Sequence, residues 1–215
     1  MKKIIAVDGP AGAGKSTVCK LAAKKLSYTY IDTGAMYRAI GLKVLQRGGN
    51  CSDENFVIDA ARDVDIRLDE AARVFLDGVD VTGKIRTPEV GKAASDVAKL
   101  GFVRKKLTEL QREMAANGSV IMDGRDIGTQ VLPNADLKIF LTASVDERAR
   151  RRFEELKAKN SAADFDKIRD EIILRDKQDS EREIAPLAQA DDAILLDTTN
   201  MTIDEVVEKI LELAR

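Results

Sequence analysis

Short apolar runs alternate along this chain with longer stretches of helical spacing. Residues 4–7 are four uninterrupted apolar positions, mostly β-branched, the composition of a strand covered on both faces, and Asp8-Gly9-Pro10 closes the run with turn chemistry. Comparable runs recur at 28–31, 120–122, 137–141 and 193–196. Between them Val18, Leu21, Ala22 and Leu26 place one face of a helix that starts near Lys15, and the same spacing predicts helices over 35–46, 102–115, 145–157 and 203–213. Ser144-x-x-Glu147 and Thr202-x-x-Glu205 predict capping boxes at the starts of the last two. Strands alternating with helices predict an α/β fold: a five-stranded parallel sheet in a three-layer arrangement.

Residues 63–85 break that rhythm. Val64, Ile66 and Leu68 alternate with polar positions, Val74 and Leu76 alternate again after Glu70-Ala71-Ala72, and Asp77-Gly78 marks a tight turn. The pattern predicts a small antiparallel insertion. Residues 158–170 read as a polar, mobile stretch between two helical patterns.

Composition narrows the chemistry. With 215 residues, 44% hydrophobic and 33% charged, the chain reads as one globular domain with appended parts rather than a disordered or membrane protein. Balanced charge, 35 Lys plus Arg against 37 Asp plus Glu, argues against a nucleic-acid partner and makes any anion site local. The absence of histidine excludes imidazole acid–base catalysis, Ser-His-Asp triads and His-liganded zinc. Two cysteines, Cys19 and Cys51, without zinc spacing suit a reducing compartment, and the apolar run after Met1 is too short for a signal core or a span, so a cytoplasmic protein is expected.

Gly9-Pro10-Ala11-Gly12-Ala13-Gly14-Lys15-Ser16, followed by Thr17, matches G-x-x-x-x-G-K-[ST] between a predicted strand and a predicted helix. Glycines let backbone N–H groups converge on phosphate oxygens, the helix start adds partial positive charge, Lys15 bridges phosphates and Ser16 offers a hydroxyl to Mg²⁺. The motif therefore predicts ATP with Mg²⁺. Asp123, closing the run 120–122, is a candidate for holding the water shell of that ion, and Asp32, closing the run 28–31, is a second. Arginines at the ends of elements, Arg38, Arg125, Arg175 and Arg182, suit bidentate phosphate binding and predict a second anion site.

The stretches GPAGAGKST, IDTGAMYR, DVTGKIRTPEV, AASDVA, DGRDIGT, LKIFLTAS, RDKQDSEREIAPL and LLDTT run nearly end to end, and through them the chain resembles the bacterial cytidylate kinases, of the nucleoside monophosphate kinase group. The resemblance implies a P-loop kinase that uses CMP or dCMP as acceptor and acts as a monomer. It implies a core of 1–32, 100–145 and 185–215, a monophosphate-binding region over 33–99 enlarged by the insertion at 63–85, and a lid over 150–170. By the same resemblance Arg38, Arg125 and Arg182 match ligands of the acceptor phosphate, and Ser95, Arg104 and Asp126 match residues that read cytosine. A carboxylate suits the exocyclic amine of that base. Asp179 with Arg175 matches the sugar-contacting pair, and Thr33 stands where related members have Ser. Arg148, Arg151 and Arg152 resemble the lid that closes over ATP, with Arg152 on the nucleotide.

The implied chemistry is in-line transfer of the γ-phosphoryl to an acceptor already anionic, which needs no histidine. A kinase of the same core for UMP, AMP or a shikimate-like acceptor would lack the Ser95, Arg104 and Asp126 set. A guanine-nucleotide switch would carry N-K-x-D, which this sequence lacks, and a nucleic-acid ATPase would want a basic stripe.

Overall fold

The computed structural model describes residues 2–116, 118–158 and 163–215. In chain order its elements are β1 (Ile4–Asp8), α1 (Lys15–Leu26), β2 (Thr29–Asp32), α2 (Thr33–Gln46), α3 (Glu54–Ala61), β3 (Ile66–Leu68), β4 (Val74–Leu76), β5 (Val79–Asp80), α4 (Pro88–Val97), α5 (Gly101–Ala115), β6 (Val120–Asp123), β7 (Leu137–Thr142), α6 (Val145–Ala158), α7 (Phe165–Glu181), β8 (Ile194–Asp197) and α8 (Ile203–Leu213). The five-stranded parallel sheet expected from the apolar runs is present, in the order β2-β6-β1-β7-β8. The chain divides into two compact units, Met1–Tyr28 with Ser119–Arg215, and Thr29–Gly118.

In the first unit β1 is the middle strand, parallel to β6 with Ile5 opposite Ile121 and to β7 with Val7 opposite Ile139. Ile5, Ala6 and Val7 are wholly buried, which explains why this strand is continuously apolar instead of alternating. β8, paired with β7 alone, exposes Ile194 and Leu195 and buries Leu196, the pattern of an edge strand. α8 opens with the full capping box expected at Thr202 and Glu205 and packs Val206, Val207 and Ile210 against α1. Ile210→Ala is expected to lower the unfolding free energy by about 3 kcal/mol through a cavity on the buried face of α8. Urea unfolding should show that loss with kcat unchanged.

At α6 the prediction holds only by half. Ser144 Oγ accepts the Glu147 N–H at 3.2 Å, but the Ser144 N–H donates to Thr199 Oγ1 at 2.9 Å and the Glu147 carboxylate is taken by Arg150 and Arg151. Two arginines on the next turn outcompete one neutral N–H. The stretch read as polar and mobile is helical from Phe165 onward, because Asp164 caps the Lys167 N–H and Ile168 and Ile172 bury themselves against Ala149. Phe153 and Phe165 meet edge to face with ring centroids 6.0 Å apart, so α6 and α7 form a packed helical pair. Residues 159–162 of the expected lid lie outside the described residues.

The second unit is built on α2, which packs along α4 and touches α3. Its antiparallel sheet, β3-β4-β5, occupies the predicted insertion, with Ile66 opposite Leu76 and Leu68 opposite Val74. Asp77 and Gly78 join β4 to β5 with φ of 50° and 80°, the doubly left-handed turn a two-residue hairpin needs. Two helices escaped the periodicity reading. α3 is only eight residues long, and α4 announces itself by its cap: Thr87 accepts the Val90 N–H and Pro88 occupies the first turn.

Candidate active site

The loop between β1 and α1 is bent by three residues of positive φ, Gly9, Gly12 and Gly14. A Cβ at Gly9 would lie 2.0 Å from the Leu141 carbonyl oxygen, so the loop can leave β1 against β7 only with hydrogen at that position. α1 then starts at Lys15 with no side chain capping it. Its first-turn N–H groups, at the positive end of the helix dipole, are therefore presented for an anion. Lys15 is buried, and its Nζ donates to the carbonyls of Gly9 and Pro10, each at 2.7 Å. Burial first, and the Arg125 charge second, push its pKa down to about 7, while Asp123 and Asp8 act in the opposite sense.

Ser16 Oγ donates to Asp123 Oδ2 at 3.0 Å. Among the described residues no three His, Cys, Asp or Glu side chains gather where they could hold a metal ion unaided. One hydroxyl and one carboxylate beside an anion loop fit Mg²⁺, which keeps waters and takes further oxygens from phosphates. Asp32, the other candidate, is committed elsewhere: Oδ1 accepts the Ala35 N–H at 2.8 Å as the cap of α2, and Oδ2 pairs with Arg86 at 2.8 Å.

Past the end of β6, the segment Gly124-Arg125-Asp126 carries two ion pairs to the end of α7. Arg125 Nε donates to Asp179 Oδ2 at 2.8 Å, and Arg182 donates to Asp126 Oδ1 at 3.1 Å. Burial pushes the Asp179 carboxyl up, but Arg125, Arg175 and Arg182 outweigh it and hold it below the ordinary carboxylate range. Burial likewise opposes the Arg125 charge, and Asp179, with Asp123 and Asp176, more than offsets it. Arg175 lies within α7, whereas Arg182 lies just beyond its end. It is the residue after α7, with extended backbone, and its Nε donates to the Ala185 carbonyl at 2.5 Å. Arg175 is largely buried, and its Nε has no hydrogen-bond partner among the described residues. Desolvation and the neighbouring Arg125 lower its pKa.

The second unit gathers its own set. Arg38, on α2, donates to the Ile85 carbonyl at 3.1 Å, and its guanidinium lies against Gly91. Ser95 Oγ donates to the Gly91 carbonyl at 3.3 Å. Arg104 is buried on α5, donates to the Ala98 carbonyl at 3.3 Å and stacks its guanidinium 5.7 Å from the ring centre of Tyr37. Thr33 is buried at the start of α2. Arg38, Ser95 and Arg104 thus converge around the packed pair α2 and α4.

The arginines of α6 separate by role. Arg148, read from sequence with the lid, is buried and consumed: Nε donates to the Ala143 carbonyl at 2.9 Å, and NH1 donates to the Ala11 carbonyl at 2.9 Å and meets Asp176 at 2.6 Å. A guanidinium so engaged fastens the phosphate loop to α7 and is a strut of the fold. Arg151 donates to the Thr198 and Ala13 carbonyls and is also tied down. Arg152 is half-buried and paired with Glu155 at 2.7 Å. Sequence reasoning missed Asp8 and Arg86. Asp8 closes an apolar run just as Asp123 does, and that shared signal could have found it.

A strand leading through this glycine loop into a helix, at the centre of a parallel sheet flanked by helices, defines the class of P-loop kinases. The same fold is seen in a gluconokinase from Sinorhizobium meliloti, with a TM-score of 0.51 at 15% identity over 100% of this chain and 93% of that one. Within the class, the chain belongs to the cytidylate kinase family: the family model described as cytidylate kinase matches residues 5–215. It is 56% identical to a cytidylate kinase of Caldicellulosiruptor bescii, over 99% of this chain and 96% of the relative. It is 52% identical to one of Bacillus licheniformis with the same coverage of both.

Proposed function

We propose that this chain transfers the γ-phosphoryl group of ATP to the α-phosphate of CMP or dCMP, giving CDP or dCDP and ADP. The observation that carries the reading is the pair of ion pairs, Arg125–Asp179 and Asp126–Arg182, in the unit that also holds the phosphate loop. Arg125 is held near a lysine whose charge is already opposed by burial and by that arginine, and Arg182 is held by Asp126, the next residue along. An added polyanion relieves that repulsion, so the site favours phosphates for an electrostatic reason.

Residues 9–17 cradle the donor phosphates through backbone N–H groups and Lys15, and Arg152 lies along the donor nucleotide. Ser16 and, through water, Asp123 hold Mg²⁺, which when bound neutralises charge on the triphosphate. Asp32 caps α2 and pairs with Arg86. Arg38, Arg125 and Arg182 bind the acceptor phosphate. Asp126, Ser95 and Arg104 read cytosine, and Arg175 with Asp179 contacts the sugar. The acceptor oxygen is anionic at neutral pH, so no proton has to be taken from it. Catalysis rests on alignment and on charge neutralisation by Lys15 and the arginines. The protein acts as a cytoplasmic monomer. Among the described residues no helix is long and apolar enough to cross a membrane.

The test is ADP release from ATP and Mg²⁺ against CMP, dCMP, UMP, AMP and no acceptor, beside Asp126→Ala. Turnover confined mainly to CMP and dCMP is expected in the native protein. The variant should lose about 10²-fold in kcat/KM for CMP and most of its preference over UMP, because the amine of cytosine loses its acceptor. A native preference for UMP or AMP would refute the acceptor assignment. ADP release indifferent to every acceptor would refute the transfer itself.

A further inference from the structure

Asp126 stands at the start of a wide turn, Ile127–Val131, closed by the Val131 N–H on the Asp126 carbonyl at 3.2 Å and the Leu132 N–H on the Ile127 carbonyl at 2.7 Å. The first N–H groups of such a turn have no partner within it, and an aspartate at this position ordinarily accepts them with its own side chain. Here it does not: the Asp126 side chain makes no capping bond and pairs with Arg182 instead. The capping is done from 119 and 120 residues away. Asp8 Oδ1 accepts the Ile127 N–H at 2.8 Å and Asp8 Oδ2 accepts the Gly128 N–H at 2.7 Å. The approach is close enough to depend on Gly128, where a Cβ would lie 3.3 Å from Asp8 Oδ2 and 3.1 Å from Lys138 Cδ.

Asp8 is also the last residue of β1, and Gly9 after it begins the phosphate loop. We propose that Asp8 is a positioning residue for the acceptor: by capping the turn in place of Asp126, it turns the Asp126 carboxylate toward Arg182 and cytosine and sets Arg125 and Asp126 in register with the phosphate loop. This rests on the assignment of Arg125 and Asp126 to the acceptor.

The energetics point away from a role in stability. Asp8 is buried, and desolvation, with a smaller push from Asp126, raises its carboxyl to about 6 against the two N–H bonds and the Lys15 charge. A carboxyl raised on folding contributes stability that is complete below its ordinary range and lost as the pH rises through about 6. At neutral pH its charged form therefore burdens the fold, while its two short bonds hold the turn.

Asp8→Asn presents an amide, so one of the two N–H groups meets a donor in place of an acceptor and Asp126 is free to fall back onto its own turn. Gly128→Ala leaves Asp8 charged and pushes the turn off it from the other side. Each variant should lose about 10²-fold in kcat/KM for CMP and most of its discrimination against UMP, while the affinity for ATP with Mg²⁺, measured alone by calorimetry, stays within about two-fold. Circular dichroism and thermal unfolding identify which variants are folded, and if Asp8→Asn is not, the kinetics of Gly128→Ala decide between the outcomes. Folded variants with native CMP constants, or with CMP and ATP binding weakened in parallel, would overturn the proposal. Native protein assayed alongside separates the two levels: no CMP turnover there removes the acceptor assignment and this proposal with it, whereas native turnover with unaltered variants removes the proposal alone.

Discussion

Lys15→Met should lower kcat by about 10³-fold. The residue is buried, and among the described residues its Nζ donates to the carbonyls of Gly9 and Pro10, while burial and Arg125 oppose its charge and Asp123 and Asp8 support it. Methionine is similar in length and apolar and fills the space, but the buried carbonyls it leaves without a donor should lower stability by about 2 kcal/mol, partly offset by the relief of a buried charge. Removing a donor aimed at a transferring phosphoryl group affects the transition state more than the ground state. Steady-state kinetics should show the loss chiefly in kcat, with KM for ATP rising less. Activity within ten-fold of native would show that Lys15 does not meet the transferring phosphates.

Arg125→Met is expected to lower kcat/KM for CMP by about 10³-fold, and in this case stability should fall too. Arg125 and Asp179 are both mostly buried, with side-chain exposures of 20% and 13%. Taking away the arginine leaves Asp179 buried without its hydrogen-bonded partner, and with the charges of Arg175 and Arg182 nearby, a cost of about 3 kcal/mol. Double substitution with Asp179→Asn should restore much of the stability without restoring turnover, which separates the two roles. Should the double variant recover CMP turnover, Arg125 would be a structural partner of Asp179 and no ligand of the acceptor phosphate.

Much of this was legible in the linear order. The five strands announced themselves because a parallel strand covered on both faces must be apolar throughout. The phosphate loop was legible because its chemistry is local: the backbone N–H groups, the lysine and the hydroxyl come from one run, 9–16, and need no partner from afar. α8 and its capping box followed from residues three apart. The hairpin turn at Asp77-Gly78 followed from the few residues that tolerate positive φ.

What spacing along the chain leaves open has one cause, the choice of partner. Ser144 and Glu147 have the spacing of a capping box, yet Arg150 and Arg151 take the carboxylate. Arg148, Arg151 and Arg152 look alike in sequence, but only burial against Ala11 and Asp176 makes a strut of the first. Asp32 and Asp123 both close apolar runs, and what distinguishes them is that one finds Arg86 and an N-cap while the other finds Ser16.

Covalent order alone thus determined the class of fold, the phosphate loop and, through motifs spread along the whole length, the family. These depend on backbone propensity, on hydrophobic periodicity and on interactions a few residues long. Which carboxylate caps which turn was decided by tertiary structure. Asp8 meets Ile127 and Gly128, and Arg125 meets Asp179 54 residues on. A buried charge takes the strongest partner that folding brings within reach, and that choice is not encoded by spacing along the chain.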